Sequence, residues 1–361
     1  MTINHFHSTL LFGLFWAMVS CASNSSAEFF DDDLDFAIHE VEYNYAGFPL
    51  LSEDDLVEYE IMKAAVRDSV DAGGYSDLDA VGHYLAWFRD GHLRTGYPGH
   101  DRLWKPFADY STISPYEPQS TSCKVDDDTY LIRFPSCMGN PDEKWIEQSV
   151  KDYRTSGCDY LILDIRGNEG GNDKYYMPYL ELLYDTPVIL DGVDFFYTKP
   201  NFRVMKKYFP GYGLLALFWN KSKERVFWPF LENRSIQYDD VSACPDEAAL
   251  VIDNHVASAG EAMTLEIRAS SKRTTVYGKE NTYGCLDISN IREVVLPYSR
   301  YSMVVPMTVS HRLPDRGIDK EGISPDIRLD LPYPTELTDN IDEWVLWIAQ
   351  DLKKKASNVN P

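Results

Sequence analysis

The sequence predicts an α/β protein in which helices precede a core of alternating strands and helices. Tyr160–Ile165 and Ala249–Ile252 are short, continuous apolar runs, as the strands of a buried parallel sheet require. Amphipathic helical patterns lie between such runs, and capped helices fill the N-terminal part. The 361 residues, 44% of them hydrophobic, suffice for one large or two modest domains with a proper core.

Two capped helices are predicted in the N-terminal part of the chain. Ser52–Asp55 resembles a capping box, and Gly73-Gly74 would end the helix that begins there. A second cap at Ser76–Asp79 begins a helix that we expect to end at Asp90-Gly91-His92. Its apolar face carries Leu78, Val81, Leu85 and Phe88. These patterns predict a small helical domain over residues 34–95.

The α/β core is predicted over residues 128–335, and a C-terminal helix and tail over residues 336–361. A linker rich in Pro, Ser, Tyr and Asp over residues 96–127 would precede the core. The aromatic segment 172–240 gives no pattern that can be assigned. The predicted elements are the strands Tyr130–Phe134, Tyr160–Ile165, Ala249–Ile252 and Thr274–Tyr277, the helices Asp142–Ser156 and Ala259–Ser270, and a hairpin of Arg292–Leu296 with Ser302–Thr308.

The N-terminus resembles an export signal. Leu10–Val19 is an apolar run of ten residues, which is too short to span a bilayer, and small residues follow it. We therefore expect a signal peptide over residues 1–21, a polar and acidic tether over residues 22–33, and an exported protein.

Two ways of processing this signal remain open. Met18–Cys21 resembles a bacterial lipobox, in which Cys21 receives a lipid that attaches the protein to a membrane. The protein would then be a periplasmic or outer-surface lipoprotein. Simple cleavage near Ala22 or Ala27 would instead give a secreted protein.

Composition argues against nucleic-acid partners and against bound cofactors. A net charge of −23 repels phosphate backbones. The chain contains no C-x-x-C pair and no H-x-x-x-H or H-E-x-x-H spacing, so we expect no metal site. The family resemblance described below also implies a reaction without a metal or an organic cofactor. If the exported protein forms disulfides, Cys123 and Cys137 are the nearest pair, although the sequence does not determine the pairing.

Three local features carry residues that could perform chemistry. Ser258 follows a buried strand where a helix begins, so its hydroxyl would lie near the helix dipole and free N–H groups, as an acyl-transfer nucleophile needs. Ser258–Glu261 is also a capping box, and the local pattern alone favours that structural role. The Gly-rich turn Arg166–Gly171 lets a ligand approach the main chain. His92 ends a helix, a position that histidines favour for dipole reasons alone.

Together these motifs resemble the tricorn and C-terminal-processing serine peptidases. Five segments between residues 89 and 327 match in order, and their joint order is specific. Leu161–Gly171 is similar to the "lIlDlRgN-GG" signature, and Val251–Glu261 is similar to the nucleophile segment. The other segments are Gly278–Gly284, which resembles "GE-T-G", Gly322–Ile327, which resembles "GI-PDI", and Arg89–His92, which resembles the "DGHT" motif of the tricorn-like branch.

The resemblance implies a crotonase-like superhelical core and a serine-type endopeptidase that cleaves peptides or proteins through an acyl-enzyme. Ser258 would be the nucleophile and His92 its base. Asp319 would orient the imidazole, with Glu321 as the other candidate for that role.

The resemblance also implies the groups around the nucleophile. The N–H groups of Gly170 and Ala259 would form the oxyanion hole. Glu261 would cap the helix or brace the site, and Gly171 would support the turn.

Several residues depart from the family patterns. The branch that uses a lysine has "TYGKG" where this chain has Thr282–Cys285, so the lysine is missing, and Lys279 is out of register. Leu93 replaces the usual Thr after the histidine, and no PDZ-sized insert precedes the core. The role of Cys285 stays open at this point.

Two alternative functions belong to other classes. A non-catalytic binding protein, like the retinoid-binding relatives of the family, could use segment 172–240 to line an apolar site. A crotonase-type acyl-CoA enzyme would use a similar oxyanion hole. The export signal and the lack of a basic cluster for the CoA phosphates argue against that enzyme.

Overall fold

The computed structural model describes residues 30–100, 103–105, 119–208, 224–239, 241–334 and 340–359. The predicted signal peptide, Cys21 and most of the tether lie outside these residues, as do parts of the predicted linker and of the aromatic segment. Among the described residues, no helix has the length and apolar character needed to cross a bilayer.

The described helices begin and end at the following residues. They are α1 Asp33–Asn44, α2 Glu53–Asp71, α3 Asp77–Ala86, α4 Glu143–Ser156, α5 Met177–Leu183, α6 Lys199–Tyr208, α7 Ala259–Ser270 and α8 Glu343–Val359. The described strands are β1 Arg94–Thr95, β2 Thr121–Lys124, β3 Thr129–Arg133, β4 Tyr160–Asp164, β5 Val188–Leu190, β6 Val193–Tyr197, β7 Val226–Leu231, β8 Arg234–Ile236, β9 Glu247–Ile252, β10 Thr274–Gly278, β11 Ile288–Val295, β12 Ser302–Ser310 and β13 Ile327–Arg328.

The central sheet of the described residues has the strand order β13-β10-β9-β4-β3-β2. Neighbouring strands run parallel except for β2, which pairs with β3 in the antiparallel sense. The stretch 96–127 predicted as a linker therefore contributes the edge strand β2.

Helices cover both faces of this central sheet. Leu161 and Leu163 of β4 face α4, α5 and α7, whereas Ile162 between them faces α8. Because both faces are apolar, the strand has no polar alternation, and this explains the continuous apolar runs in the sequence. The face of α8 that packs against the sheet carries Trp344, Val345, Ile348 and Leu352, all of them fully buried.

The N-terminal helices pack against a second sheet, which is antiparallel. In it β12 pairs with β1, β6 and β11, and β7 pairs with β6. Buried side chains of α1, α2 and α3 share one core with Leu296, Met303 and Val305 beside and within β12. Helix α3 ends at Ala86, earlier than predicted, and the chain turns at Arg89, where φ is +53°.

Many described aromatic residues of segment 172–240 fill the core beside β6 and β7, whereas Tyr175, Tyr176 and Tyr179 belong to the core of the central sheet. Tyr197 stacks on Trp228 with a ring-centroid distance of 3.8 Å. Phe195 and Phe230 are buried in the same cluster. These aromatic rings are therefore packed against one another as core side chains.

A buried ionic cluster fastens the end of β4 to the beginning of α8. Asp164 accepts hydrogen bonds from Arg133 and Arg166, at 3.0 and 2.6 Å, and Arg166 also bonds to Asp342 at 2.7 Å. Although burial raises the pKa of Asp164, the guanidinium groups of Arg166 and Arg133 lower it to about 2. The Gly-rich turn that begins at Arg166 is thus held at the carboxyl end of β4.

No disulfide joins Cys123 to Cys137 or any other described cysteines.

Candidate active site

Ser258 lies in a strained turn between β9 and α7. Its φ and ψ are +53° and −120°, a region that residues with a side chain seldom adopt. Its N–H donates to the carbonyl of Cys285 at 3.0 Å and to the carboxylate of Glu261 at 3.2 Å. Such backbone strain costs on the order of 1–3 kcal/mol and is concentrated at functional sites. The conformation of Ser258 also differs from the extended backbone that N-cap residues normally have.

Glu261 braces this turn from the first turn of α7. Its fully buried carboxylate accepts hydrogen bonds from Thr282 Oγ1 at 2.5 Å, from Gly284 N–H at 2.7 Å and from Cys285 N–H at 2.8 Å, besides that from Ser258. Burial raises the pKa of Glu261, while these hydrogen bonds oppose the rise. One side chain thus joins the serine turn to residues 282–285.

The Gly-rich turn after β4 lies directly against Ser258. Gly170 has φ +97°, and a β-carbon there would lie 2.6 Å from Ser258 Cβ and 2.8 Å from the nitrogen of Ala259. The N–H of Gly170 donates to Asn168 Oδ1 at 3.0 Å. Ala259 is the first residue of α7, where an N–H group has no intrahelical acceptor. Gly171 has φ +131° and packs on the carbonyl of Cys137, which leaves no room for a side chain.

His92 lies in the turn between α3 and β1, and two contacts fix its orientation. Its backbone N–H donates to Asp90 Oδ1 at 2.8 Å, and its ring Nδ1 lies 2.8 Å from the carbonyl oxygen of Ile288. A carbonyl oxygen only accepts, so Nδ1 carries a proton. In the neutral imidazole with its proton on Nδ1, the lone pair is on Nε2. This is the tautomer that a general base needs.

Asp90 is buried beneath His92. Its Oδ2 accepts a hydrogen bond from the hydroxyl of Tyr45 at 2.8 Å, and burial raises its pKa to about 6. Asp90 lies within the motif at Arg89–His92, although no role was predicted for it, and Tyr45 lies on a distant segment without a motif.

Asp319 reaches the same region from the loop before β13. Its carboxylate accepts hydrogen bonds from the N–H groups of Leu286, Asp287 and Ile288, at 2.6, 2.7 and 3.1 Å. Burial raises the pKa of Asp319 well above its usual value, and the carboxylates of Asp287 and Asp90 add to the rise. Asp319 therefore fixes the segment whose carbonyl contacts His92.

The other predicted candidates lie in different surroundings. Glu321 is exposed, and its backbone carbonyl accepts a hydrogen bond from Asn281 at 3.1 Å. Lys279 donates to the carbonyl of Leu331 at 2.7 Å, and its ammonium lies over the ring of Tyr333. The sequence analysis missed Lys105, which donates to the carbonyl of Tyr283 at 2.6 Å beside the site.

The segment at Cys285 is where the two halves of the site meet. The carbonyl of Cys285 accepts a hydrogen bond from the N–H of Ser258. The sulfur of Cys285 lies within 4.8 Å of a ring nitrogen of His92 and of a carboxylate oxygen of Asp90. A cavity of about 700 Å³ adjoins this region, and its lining includes Asp90, Ile288, Asp319 and Trp104. The arrangement brings a strained serine and an oriented imidazole to the same connection, and the cavity lies on the side of Asp90, Ile288 and Asp319.

A mixed α/β fold with a strained serine between a strand and a helix is a frequent framework for nucleophilic chemistry. The chain belongs to peptidase family S41, whose family model matches residues 128–329. Membership of this family makes the chain a homologue of peptidases. Peptides or proteins are the substrate class that the family supports.

Solved structures are similar over much of the chain. A protein from Parabacteroides merdae classed as a peptidase is 16% identical, with a TM-score of 0.58 over 89% of this chain and 96% of that one. This likeness supports the mixed α/β fold.

Two further structures are similar at lower scores. A lipoprotein from Streptococcus agalactiae is 12% identical, with a TM-score of 0.46 over 89% of this chain and 95% of that one. The photosystem II D1 C-terminal processing protease is 18% identical, with a TM-score of 0.38 over 60% of this chain and 49% of that one. A comparison with curated proteins finds no match.

The substitution Glu261→Gln tests the brace at the serine turn. An amide would direct a donor at one of the N–H or O–H donors now bound to the carboxylate, so we expect the free energy of unfolding to fall by about 1–3 kcal/mol. Chemical denaturation of both proteins at pH 7 would measure this change in the free energy of unfolding.

Glu266→Gln is the matched control on the same helix. Burial raises the pKa of Glu266 to about 8, so this carboxyl is neutral at pH 7 and an amide mimics it. We expect little change in stability from this control. Equal losses in both variants would contradict the bracing role of Glu261.

Proposed function

We propose that the protein is a serine-type endopeptidase in which Ser258 is the nucleophile and His92 the general base. The observation that carries this proposal is the strained conformation of Ser258 at the N-terminus of α7, braced by a buried carboxylate and faced by a glycine turn. A serine that only caps a helix does not need a positive φ, because N-cap residues normally have extended backbone angles.

The proposed reaction proceeds through an acyl-enzyme. Ser258 Oγ bonds to the scissile carbonyl carbon while His92 Nε2 takes the hydroxyl proton and then gives it to the leaving amine. Water next attacks the acyl carbon and gives a proton to Nε2. The ester C–O bond then breaks, Nε2 returns that proton to Ser258 Oγ, and the acid leaves. No metal or organic cofactor enters these steps.

Two groups would hold the imidazole in its productive orientation. The carbonyl of Ile288 accepts the Nδ1 proton directly, at 2.8 Å. Asp319 acts behind it as a positioning residue, because its carboxylate accepts the N–H groups that define the backbone of residues 286–288. The orienting role inferred from the family resemblance is thus exerted through the main chain.

The proposed oxyanion hole consists of the N–H groups of Ala259 and Gly170. Ala259 contributes the first N–H of α7, where the helix dipole favours negative charge. The N–H of Gly170 donates to Asn168 Oδ1, so we propose that it is shared between this amide oxygen and the oxyanion.

The remaining sequence expectations belong to the same proposal. We propose that residues 128–335 form a crotonase-like catalytic core that a helical domain over residues 34–95 precedes and a C-terminal helix and tail follow. Export follows from residues 1–21, with either a lipidated Cys21 or a cleaved signal.

Labelling with a fluorophosphonate probe tests the nucleophile. We expect the probe to label wild type at Ser258, and mass spectrometry of the digested adduct would locate it. Ser258→Ala should lose the label, and His92→Ala should label at least about 100-fold more slowly, because a general base contributes 10²–10⁴-fold. A folded wild type that takes up no probe would refute the serine mechanism.

Gly170→Ala tests the glycine turn. The new methyl group would collide with Ser258 and Ala259, so we expect labelling to fall by about 100-fold or more, as when an oxyanion donor is lost. Gly139→Ala is the control, because Gly139 also has a positive φ, +73°, but lies in open space. A similar loss in both variants would attribute the effect to backbone strain.

Asp319→Asn and Glu321→Gln distinguish the two candidate carboxylates. An amide at position 319 sets a donor against a backbone N–H, which would displace the Ile288 carbonyl from His92. We expect kcat on a fluorogenic peptide to fall about 10–100-fold with KM nearly unchanged, as for positioning residues elsewhere. Glu321→Gln should stay within about twofold of wild type. The reverse ranking would make Glu321 the positioning residue.

A further inference from the structure

The cavity of about 700 Å³ has no part in the proposed reaction. It lies between the beginning of α2, the end of α3 and the loop at Asp319 and Lys320. None of the described residues that line it belongs to the serine turn or to the glycine turn. Its volume is typical of sites that bind small molecules, which measure about 300–1,000 Å³.

Aromatic and aliphatic side chains form one part of the cavity wall. Leu51, Trp87 and Trp104 line the cavity and are each half-buried. Leu50 also lines it and is 46% exposed. A ligand with apolar groups would remove this surface from water, which favours binding.

Charged side chains of both signs line the same cavity. Asp55 and Glu58 lie on α2, whereas Arg89 follows α3 and Lys320 follows the proposed positioning residue. All four are exposed, and among the described residues none of them takes part in an ion pair. The guanidinium of Arg89 lies over the ring of Trp104, 5.9 Å from the ring centroid. The cavity thus offers two carboxylates from one element and two cations from others.

Asp55 is charged at neutral pH and keeps one oxygen for a ligand. Hydrogen bonds from the hydroxyl and the N–H of Ser52 lower the pKa of Asp55, and the ammonium of Lys320 lowers it further. Both hydrogen bonds end on Oδ2, at 2.7 and 3.0 Å, so Oδ1 can accept from a bound molecule.

A ligand that meets both pairs of charges needs an ammonium group and a carboxylate with apolar groups between them. A sphere of the same volume is about 11 Å across, and an extended peptide spans about 3.3–3.6 Å per residue. Three residues therefore reach from one side of the cavity to the other, whereas a single amino acid does not. Short peptides are also what peptidases, the family of this chain, release as products.

We propose that this cavity binds a tripeptide with free termini and apolar side chains. The carboxylate of the peptide pairs with Arg89 and Lys320, and its ammonium group pairs with Asp55 and Glu58. The apolar side chains of the peptide cover the two tryptophans of the wall. The proposal rests on the cavity, and it holds whichever residue is the nucleophile.

Isothermal titration with leucyl-glycyl-leucine measures binding. The protein is the full chain with Ser258→Ala, so that the proposed reaction cannot consume the peptide. We expect one site with a Kd below about 1 mM. The C-terminal amide, the N-acetyl derivative and free leucine should each bind about fivefold or more weakly, because each lacks a charged end or the length.

The double variant Arg89→Gln/Lys320→Gln, in the same background, tests the carboxylate end. It should bind the free tripeptide about fivefold or more weakly, while the affinity for the amide stays unchanged, because the amide lacks the charge that these cations recognise. Lys151→Gln/Arg154→Gln is the matched control. Lys151 and Arg154 are exposed on α4 and do not line the cavity, so this control should bind both peptides as the parent does. If thermal melting shows that the double variant does not fold, Lys320→Gln replaces it, with Lys151→Gln as its control.

Wild type treated with the fluorophosphonate distinguishes this site from the proposed active site. The labelled protein should bind the tripeptide as Ser258→Ala does, because the serine turn does not line the cavity. Loss of binding after labelling would overturn the separate site. If wild type takes up no label, the serine mechanism fails, and the double variant still decides whether the cavity binds the peptide.

Three results of the titrations would overturn the proposal. The first is no heat of binding at millimolar tripeptide. The second is an amide that binds as tightly as the free tripeptide. The third is a loss of affinity in the α4 control that equals the loss in the cavity variant.

Discussion

The buried carboxylate of Glu261 is the contact on which the proposed site depends most. It accepts hydrogen bonds from the serine turn and from residues 282–285, with donor–acceptor distances between 2.5 and 3.2 Å. Hydrogen bonds to a charged group contribute about 1.5–3 kcal/mol each, which is enough to hold the strain of the left-handed Ser258. Ser258, the proposed nucleophile, is thus positioned by tertiary contacts as much as by its own helix.

The site is assembled from two parts of the fold that meet at one connection. Ser258 lies in the turn that follows β9 of the central sheet, whereas His92 follows the N-terminal helices that pack on the antiparallel sheet. Residues 285–288 touch both, because Cys285 accepts the N–H of Ser258 and Ile288 contacts the imidazole. The spacing between nucleophile and base therefore depends on this connection and on Asp319, which fixes its backbone.

Sequence patterns predicted the elements whose signals are local. The buried strands and helices α2, α4 and α7 appear close to their predicted bounds, because continuous apolar runs and capping boxes are read within a few residues. Helix α1 and the edge strand β2 were missed, since β2 lies in a stretch rich in turn residues whose pairing with β3 is set by tertiary context.

Motifs predicted the site residues but not how they contact one another. A backbone carbonyl such as that of Ile288 has no sequence signal, and neither does the hydrogen bond that Asn168 makes to Gly170. The same is true of Tyr45, which reaches Asp90 from a remote segment. Cys285 is buried close to Asp90 and His92, and no motif in the sequence indicates that contact.

A crystal structure of the fluorophosphonate-treated protein would show whether Ser258 is the nucleophile. We expect phosphorus bonded to Ser258 Oγ, a phosphonyl oxygen about 3 Å from the nitrogen of Ala259, and His92 Nε2 facing the adduct with Nδ1 still on the Ile288 carbonyl. Phosphorus on another residue, or an imidazole turned away from Ser258 beyond hydrogen-bond reach, would contradict it.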